Sequence, residues 1–362
     1  MFTPEQLQIR KIIESFKTDP LNNTLSIINK SNLNYPNLNH YPVYHNLSGM
    51  VNLRLQKYEE AVLNFKDAIK LKKDFAEAYF NLGLAFFDKG ELSLSYTNFL
   101  KAYEIKKDYK KARDAVIEVL SYYTPKKNIS IIDKINLKLK KFQLHLKDIS
   151  NTKILTFYKN CKEIVDKDLK DLSYEKNEIL IRKSKFLNCQ RHKALFNKHN
   201  IISKFCFSCF KVVIETKDAI DLIKLTLVFQ ESNFLKFFLR KTMLDKRENK
   251  ISFKGFVYCS SIDETIQIEK KLKEKLNLFL IEPISIHSKR GCSEFGVSYP
   301  EYPKINKDNS LNFNYKKNWQ NIEKNFDTSQ MINTSFEKKV NATLLETSLH
   351  NFLVINKWMQ IK

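Results

Sequence analysis

Residues 42–109 repeat every 34 positions: Gly49 returns as Gly83, Ala61 as Ser95, Phe65 as Phe99 and Ala68 as Ala102. No other feature of the chain restricts its fold as strongly. A unit of this length is one supersecondary element that cannot bury its own apolar face, so copies must stack and share a continuous core. Small residues at Gly49, Ala61, Gly83 and Ser95 predict two helices per unit that cross closely at those points. Upstream, residues 6–19 and 21–31 read as a degenerate earlier copy ending at Pro36. Downstream, residues 110–123 read as a capping helix that stops before Pro125.

The better copy runs Tyr79-x2-Leu82-Gly83-x2-Phe86, then Ser95-x3-Phe99 and Ala102. The other is weak in its first helix (His45, Ser48, Gly49, Asn52) but good in its second (Tyr58, Ala61, Phe65, Ala68). This pattern resembles the tetratricopeptide repeat (TPR), although Lys73 and Lys107 replace the closing Pro. The resemblance implies an α-solenoid whose first helices line a concave groove for a protein or peptide. On these positions the groove would present Asn46, Met50, Phe80, Asn81, Leu84 and Phe87. The Lys and Asn set with which the family grips a C-terminal carboxylate is not reproduced, so that mode of capture is not expected.

Residues 189–209 hold three of the six cysteines. A Cys-x2-His pair, Cys189 and His192, is followed after thirteen residues by a Cys-x2-Cys pair, Cys206 and Cys209. Two short knuckles joined by a loop make the spacing of a four-ligand metal site. Structural zinc is the reading this Cys3His set favours. An iron–sulfur cluster, which more often takes all-Cys ligation, and unligated thiols are the alternatives. The N-terminal residues contain no apolar signal core, so reduced cysteines in a cytoplasmic protein are expected.

Between the repeats and this stretch, residues 126–185 carry apolar residues at helical intervals with Lys between them. They predict two or three amphipathic helices packed on the repeats. After it the pattern becomes strand (210–215), helix (218–230), two strands (239–245 and 251–260), a helix to about 276, then strands at 284–289 and 295–299. That order predicts a ferredoxin-like split βαβ sheet with helices on one face. Four domains follow: 1–125, the TPR-like solenoid; 126–185, a basic helical connector; 186–300, the metal knuckle and α+β domain; and 301–362, a polar linker with an amphipathic C-terminal helix.

The open sheet face raises a second function. Lys254-Gly255-Phe256-Val257-Tyr258 resembles the RNP1 element of the RNA-recognition motif, with Phe256 and Tyr258 as stacking aromatics. Beside it, His287, Lys289 and Arg290 lead into a turn able to bind an anion. The net charge of +22 fits such a surface, but 54 of the 62 basic residues are Lys, the weaker base-reader, and the excess is diffuse. The six glycines form neither GxGxxG nor GxxxxGK[ST], which excludes the common nucleotide-cofactor loops. No catalytic set and no membrane-spanning run is present in the sequence. The chain therefore reads first as a partner-binding adaptor, with RNA binding and a cysteine-ligated iron–sulfur or redox enzyme as alternatives.

Overall fold

Helix starts are written locally. Thr3 accepts the Gln6 amide while the Gln6 side chain accepts the Thr3 amide, and Pro4 opens α1 (Pro4–Thr18). The computed structural model describes residues 2–126, 130–169, 172–181, 189–247, 250–279, 281, 283–330 and 347–361. The chain divides into two compact units. One comprises Met1–Val119, Phe186–Arg191 and Gln320–Lys338, and the other Leu120–Lys185, His192–Trp319 and Lys339–Lys362.

In the first unit α1 is followed by α2 (Leu21–Asn34), α3 (Pro42–Arg54), α4 (Tyr58–Leu71), α5 (Ala76–Lys89), α6 (Leu92–Ile105) and α7 (Lys110–Val119). Helices α1 and α2 share a core with α3 built on Ile9, Ile12, Ile28, Leu47 and Val51, so the degenerate upstream copy is a true helix pair. Within the pairs α3/α4 and α5/α6 the glycines allow contact that a methyl would prevent. A Cβ on Gly49 would lie 2.5 Å from the Phe65 ring, and one on Gly83 would lie 2.5 Å from Phe99. Both rings are buried.

The second unit holds α8 (Ile131–Leu139), α9 (Asn151–Asp168), β1 (Glu178–Ile181), most of α10 (Cys189–His199), β2 (Phe210–Thr216), α11 (Ala219–Glu231), β3 (Leu239–Arg247), β4 (Lys250–Cys259), α12 (Ile262–Leu278), β5 (Ser285–Arg290) and a helical turn, α13 (Phe295–Ser298). Two helices follow in the chain, α14 (Trp319–Gln330) and α15 (Leu349–Met359). The sheet order is β1-β3-β4-β2-β5, and every neighbouring pair is antiparallel. Helix α11 packs on β3 and β4, and α12 on β2 and β5. Helices α8 and α9 pack with α15 and α11, so their apolar stripes are satisfied inside this unit. Helix α15 is fastened by polar contacts as well: Trp358 donates to the Asn177 carbonyl at 3.0 Å, and the Tyr158 hydroxyl to the Asn356 side chain at 2.8 Å.

Three expectations change. The expected strand at 295–299 is helical, because its alternation is too short to compete with a turn closed by Tyr299 N–H on the Phe295 carbonyl at 2.9 Å. Strand β1 arises within the stretch read as purely helical, paired to β3. Much of the expected linker is folded: Tyr302 and Trp319 are buried, and α14 begins at Trp319. Residues 331–346 lie outside the described residues. No described helix is long and apolar enough to cross a membrane.

The close helix crossing can be tested directly. Helix propensity alone would favour Gly83→Ala by about 1 kcal/mol. The added methyl meets a buried ring, and overpacking costs about 1–3 kcal/mol. The expected outcome is a net loss of up to ~2 kcal/mol in denaturant unfolding of the full chain, part of which returns when Phe99→Leu is added.

Candidate functional site

On the first helices of the repeats, the expected groove residues form a connected set. The Asn81 amide on α5 donates to the Asn46 side-chain oxygen on α3 at 3.0 Å, and the Asn46 amide points to the Met50 sulfur at 3.7 Å. Asn46 is buried, while Met50, Asn81, Leu84 and Phe87 are half-buried. Phe80 leans on Phe99 and on Tyr109, with ring centroids 5.4 and 5.3 Å away, so much of its surface serves packing between consecutive helices. Met50 also packs on the core around Phe65, Leu82 and Phe86. The result is a bonded amide pair flanked by half-exposed apolar side chains.

The cysteine stretch divides between a helix and a turn. Cys189 and His192 sit one turn apart on α10, whereas Cys206 lies in the 3-10 turn Lys204–Ser208 and Cys209 just before β2. The buried His192 ring stacks on Phe205, with centroids 5.4 Å apart and planes 26° apart. The 3-10 turn is pinned by Tyr302, whose hydroxyl donates to the Cys206 carbonyl at 2.7 Å. Burial pushes that hydroxyl's pKa up, and nearby Cys206 and Cys209 push it further. Among the described residues, no three His, Cys, Asp or Glu side chains form a group that could hold a metal ion.

Strand pairing gathers a different set. Lys211 on β2 lies in register with Tyr258 on β4 and Lys289 on β5, and the Gly291 amide donates to the Cys209 carbonyl at 2.7 Å. Gly291 has φ +61, and a side chain there would collide with Tyr302. Arg290 is not available to an anion: its buried guanidinium donates to the carbonyls of Tyr302 (3.1 Å) and Phe313 and lies between the Phe207 and Tyr302 rings. Lys289 donates to the Ser293 hydroxyl at 2.6 Å, Lys254 pairs with Asp245 at 3.0 Å, and His287 is exposed. Phe256 is only 5% exposed and lies between the ammonium groups of Lys211 and Lys241, 5.4 and 5.3 Å from its centroid. Of the two aromatics expected to stack on RNA, Phe256 is covered by the sheet's own lysines and Tyr258 is half-buried beside Lys211.

Comparison with known proteins agrees with the helix pairs. Residues 51–90 match the family model described as TPR repeat, and residues 76–109 the model described as Tetratricopeptide repeat. Residues 51–109 are a tetratricopeptide-repeat segment. Among solved structures, the first TPR of Spaghetti (RPAP3) bound to HSP90 peptide SRMEEVD is 18% identical over 32% of this chain and 89% of that one, with a TM-score of 0.30. The MamA protein is 15% identical, covering 48% and 80% of the two chains at a TM-score of 0.31. A mutant O-GlcNAc transferase of Thermobaculum terrenum is 16% identical, covering 40% and 28% at 0.32. No curated protein matches the chain.

Two features escape a reading of the sequence. The Asn46–Asn81 bond joins successive TPR first helices, and its only trace is an Asn recurring 35 residues on, one position out of register with the repeat. Lys211 has no trace beyond strand alternation. It is 7% exposed, and burial lowers its pKa against the opposing pull of Cys292 and Cys209.

Thiol chemistry separates the cysteines. Burial pushes both Cys161 and Cys259 up to about 12, so at pH 8 only about one in 10⁴ of either is thiolate. In the native protein at pH 8, iodoacetamide followed by peptide mapping should leave both unmodified until denaturant is added. Rapid native labelling of Cys161 would contradict its burial.

Proposed function

We propose that this protein is a binding adaptor that holds an extended peptide or partner segment in the groove of its TPR helices. The observation that carries this reading is the repeat itself: two helix pairs in 34-residue register, matched by family models and locked by glycine–phenylalanine contacts. Stacked repeats of this kind create extended concave surfaces suited to partners rather than enclosed catalytic sites. In this reading the half-buried Asn81, held by its bond to the buried Asn46, meets a peptide backbone, and Met50, Leu84 and Phe87 receive its apolar side chains. The second unit gives the adaptor an α+β domain. Its strand order β3-β4-β2-β5, with α11 and α12 as crossovers, supports the ferredoxin-like reading, with β1 added at the β3 edge. Zinc at residues 189–209 gains no support from the donor geometry and is not part of this proposal.

The test is peptide selection against the full chain from a displayed random library, followed by affinity measurement. A selected peptide should lose about 10-fold or more in affinity with Leu84→Glu or Phe87→Ala. Leu63→Glu, on the exposed face of α4, should leave it unchanged. Failure to enrich any peptide, or enrichment indifferent to both groove substitutions, would overturn the adaptor reading.

A further inference from the structure

The sheet face opposite α11 and α12 contains one cation treated differently from its neighbours. The position of Gly255 against Leu225 and Phe229 identifies the helix-covered face, and its register partner Ile214 shares that face. Strand alternation then places Lys211, Phe256, Tyr258 and Lys289 on the other. There Lys241 pairs with Glu178 at 3.1 Å and Lys254 with Asp245 at 3.0 Å, while Lys289 reaches the Ser293 hydroxyl. Glu294 lies within electrostatic reach of Lys211, but its carboxylate is bonded to Lys193 at 3.1 Å. Lys211, more than nine-tenths buried, makes neither a hydrogen bond nor an ion pair among the described residues. Its ammonium lies over the rings of Phe256 and Tyr258, 5.4 and 5.9 Å from their centroids, with the Cys292 and Cys209 thiols also within electrostatic reach.

A buried ammonium without a direct ion-pair partner is costly, and two ring faces offset only part of that cost. The missing component is an anion in contact with Lys211. We propose that this corner of the sheet binds a small carboxylate ligand, with Lys211 as its counter-cation and Phe256 and Tyr258 as its walls. A monoanion fits better than a phosphate. One ammonium lacks an ion pair among the described residues, Lys289 is already bonded, and the nearby Arg290 guanidinium is spent on main-chain carbonyls. The site is built from residues of the second unit and uses none of the TPR helices, so it does not depend on the adaptor reading.

The test is calorimetric titration of the full chain with sodium acetate and sodium benzoate, with inorganic phosphate as the competing anion, all at constant ionic strength. The expected result is saturable binding of one carboxylate per chain. Binding should weaken about 10-fold or more in Lys211→Met and stay within a few-fold in Lys211→Arg. Benzoate should also raise the melting temperature of the native sequence but not of Lys211→Met. Thermal unfolding of Lys211→Met in buffer shows whether that variant folds, and the Arg variant carries the test if it does not: loss of binding there, with the fold intact, counts against the site. No saturable binding of either carboxylate, equal binding by Lys211→Met, or binding of phosphate alone would overturn the proposal.

Discussion

A phenylalanine ring laid against a glycine sets the spacing on which the N-terminal unit depends. Phe65 on Gly49 and Phe99 on Gly83 bring the two helices of each pair closer than any side chain at those positions would allow. Because the contact recurs in register, each pair presents an equivalent apolar edge to the next, and the stack extends with one geometry. The first helices therefore align, which is why side chains 35 residues apart in sequence, Asn46 and Asn81, meet at hydrogen-bond distance. The groove follows from this packing and needs no separate instruction.

The second unit rests on a different constraint, the two-sidedness of a sheet. One face is sealed by α11 and α12 through a largely apolar layer that includes Val212, Ile214 and Val257, with the Thr226–Thr242 hydroxyl pair buried in it. The other carries lysines and aromatics in alternation, and most of those lysines are matched to a carboxylate or hydroxyl within the fold. The end of the sheet is closed by Tyr302, which anchors the Cys206 turn and stacks with Arg290. A tyrosine nearly a hundred residues away in sequence thus fixes how Cys206 and Cys209 are held.

The strongest periodicities in the sequence correspond to structure. The period of 34 became helix pairs, and the alternating runs near 210, 240, 253 and 286 became β2 to β5. Weaker signals misled for identifiable reasons. Four residues from Glu178 are too few for alternation to stand out within a Lys-rich stretch, yet β3 supplies the partner that makes them a strand. Residues 301–319 have no period because Tyr302, Phe313, Tyr315 and Trp319 converge on Phe207 from irregular positions. Hydropathy patterns detect regular elements and miss an aromatic cluster built from loops.

The amino-acid sequence alone determined the repeat architecture, the cap residues that start the helices, and the two-faced character of the C-terminal strands. All of these follow from interactions between residues near in sequence or fixed in period. Tertiary structure alone decided which polar groups have partners. Among the described residues the Cys-x2-His and Cys-x2-Cys pairs form no group of three donors; the His192 ring stacks on Phe205, and Tyr302 holds the Cys206 turn through its main-chain carbonyl. Lys211 looks like any outward strand lysine until β4 and β5 close beside it and leave its charge buried. Spacing along a chain counts residues, whereas partnership depends on distance in space, and only the folded sheet sets that distance.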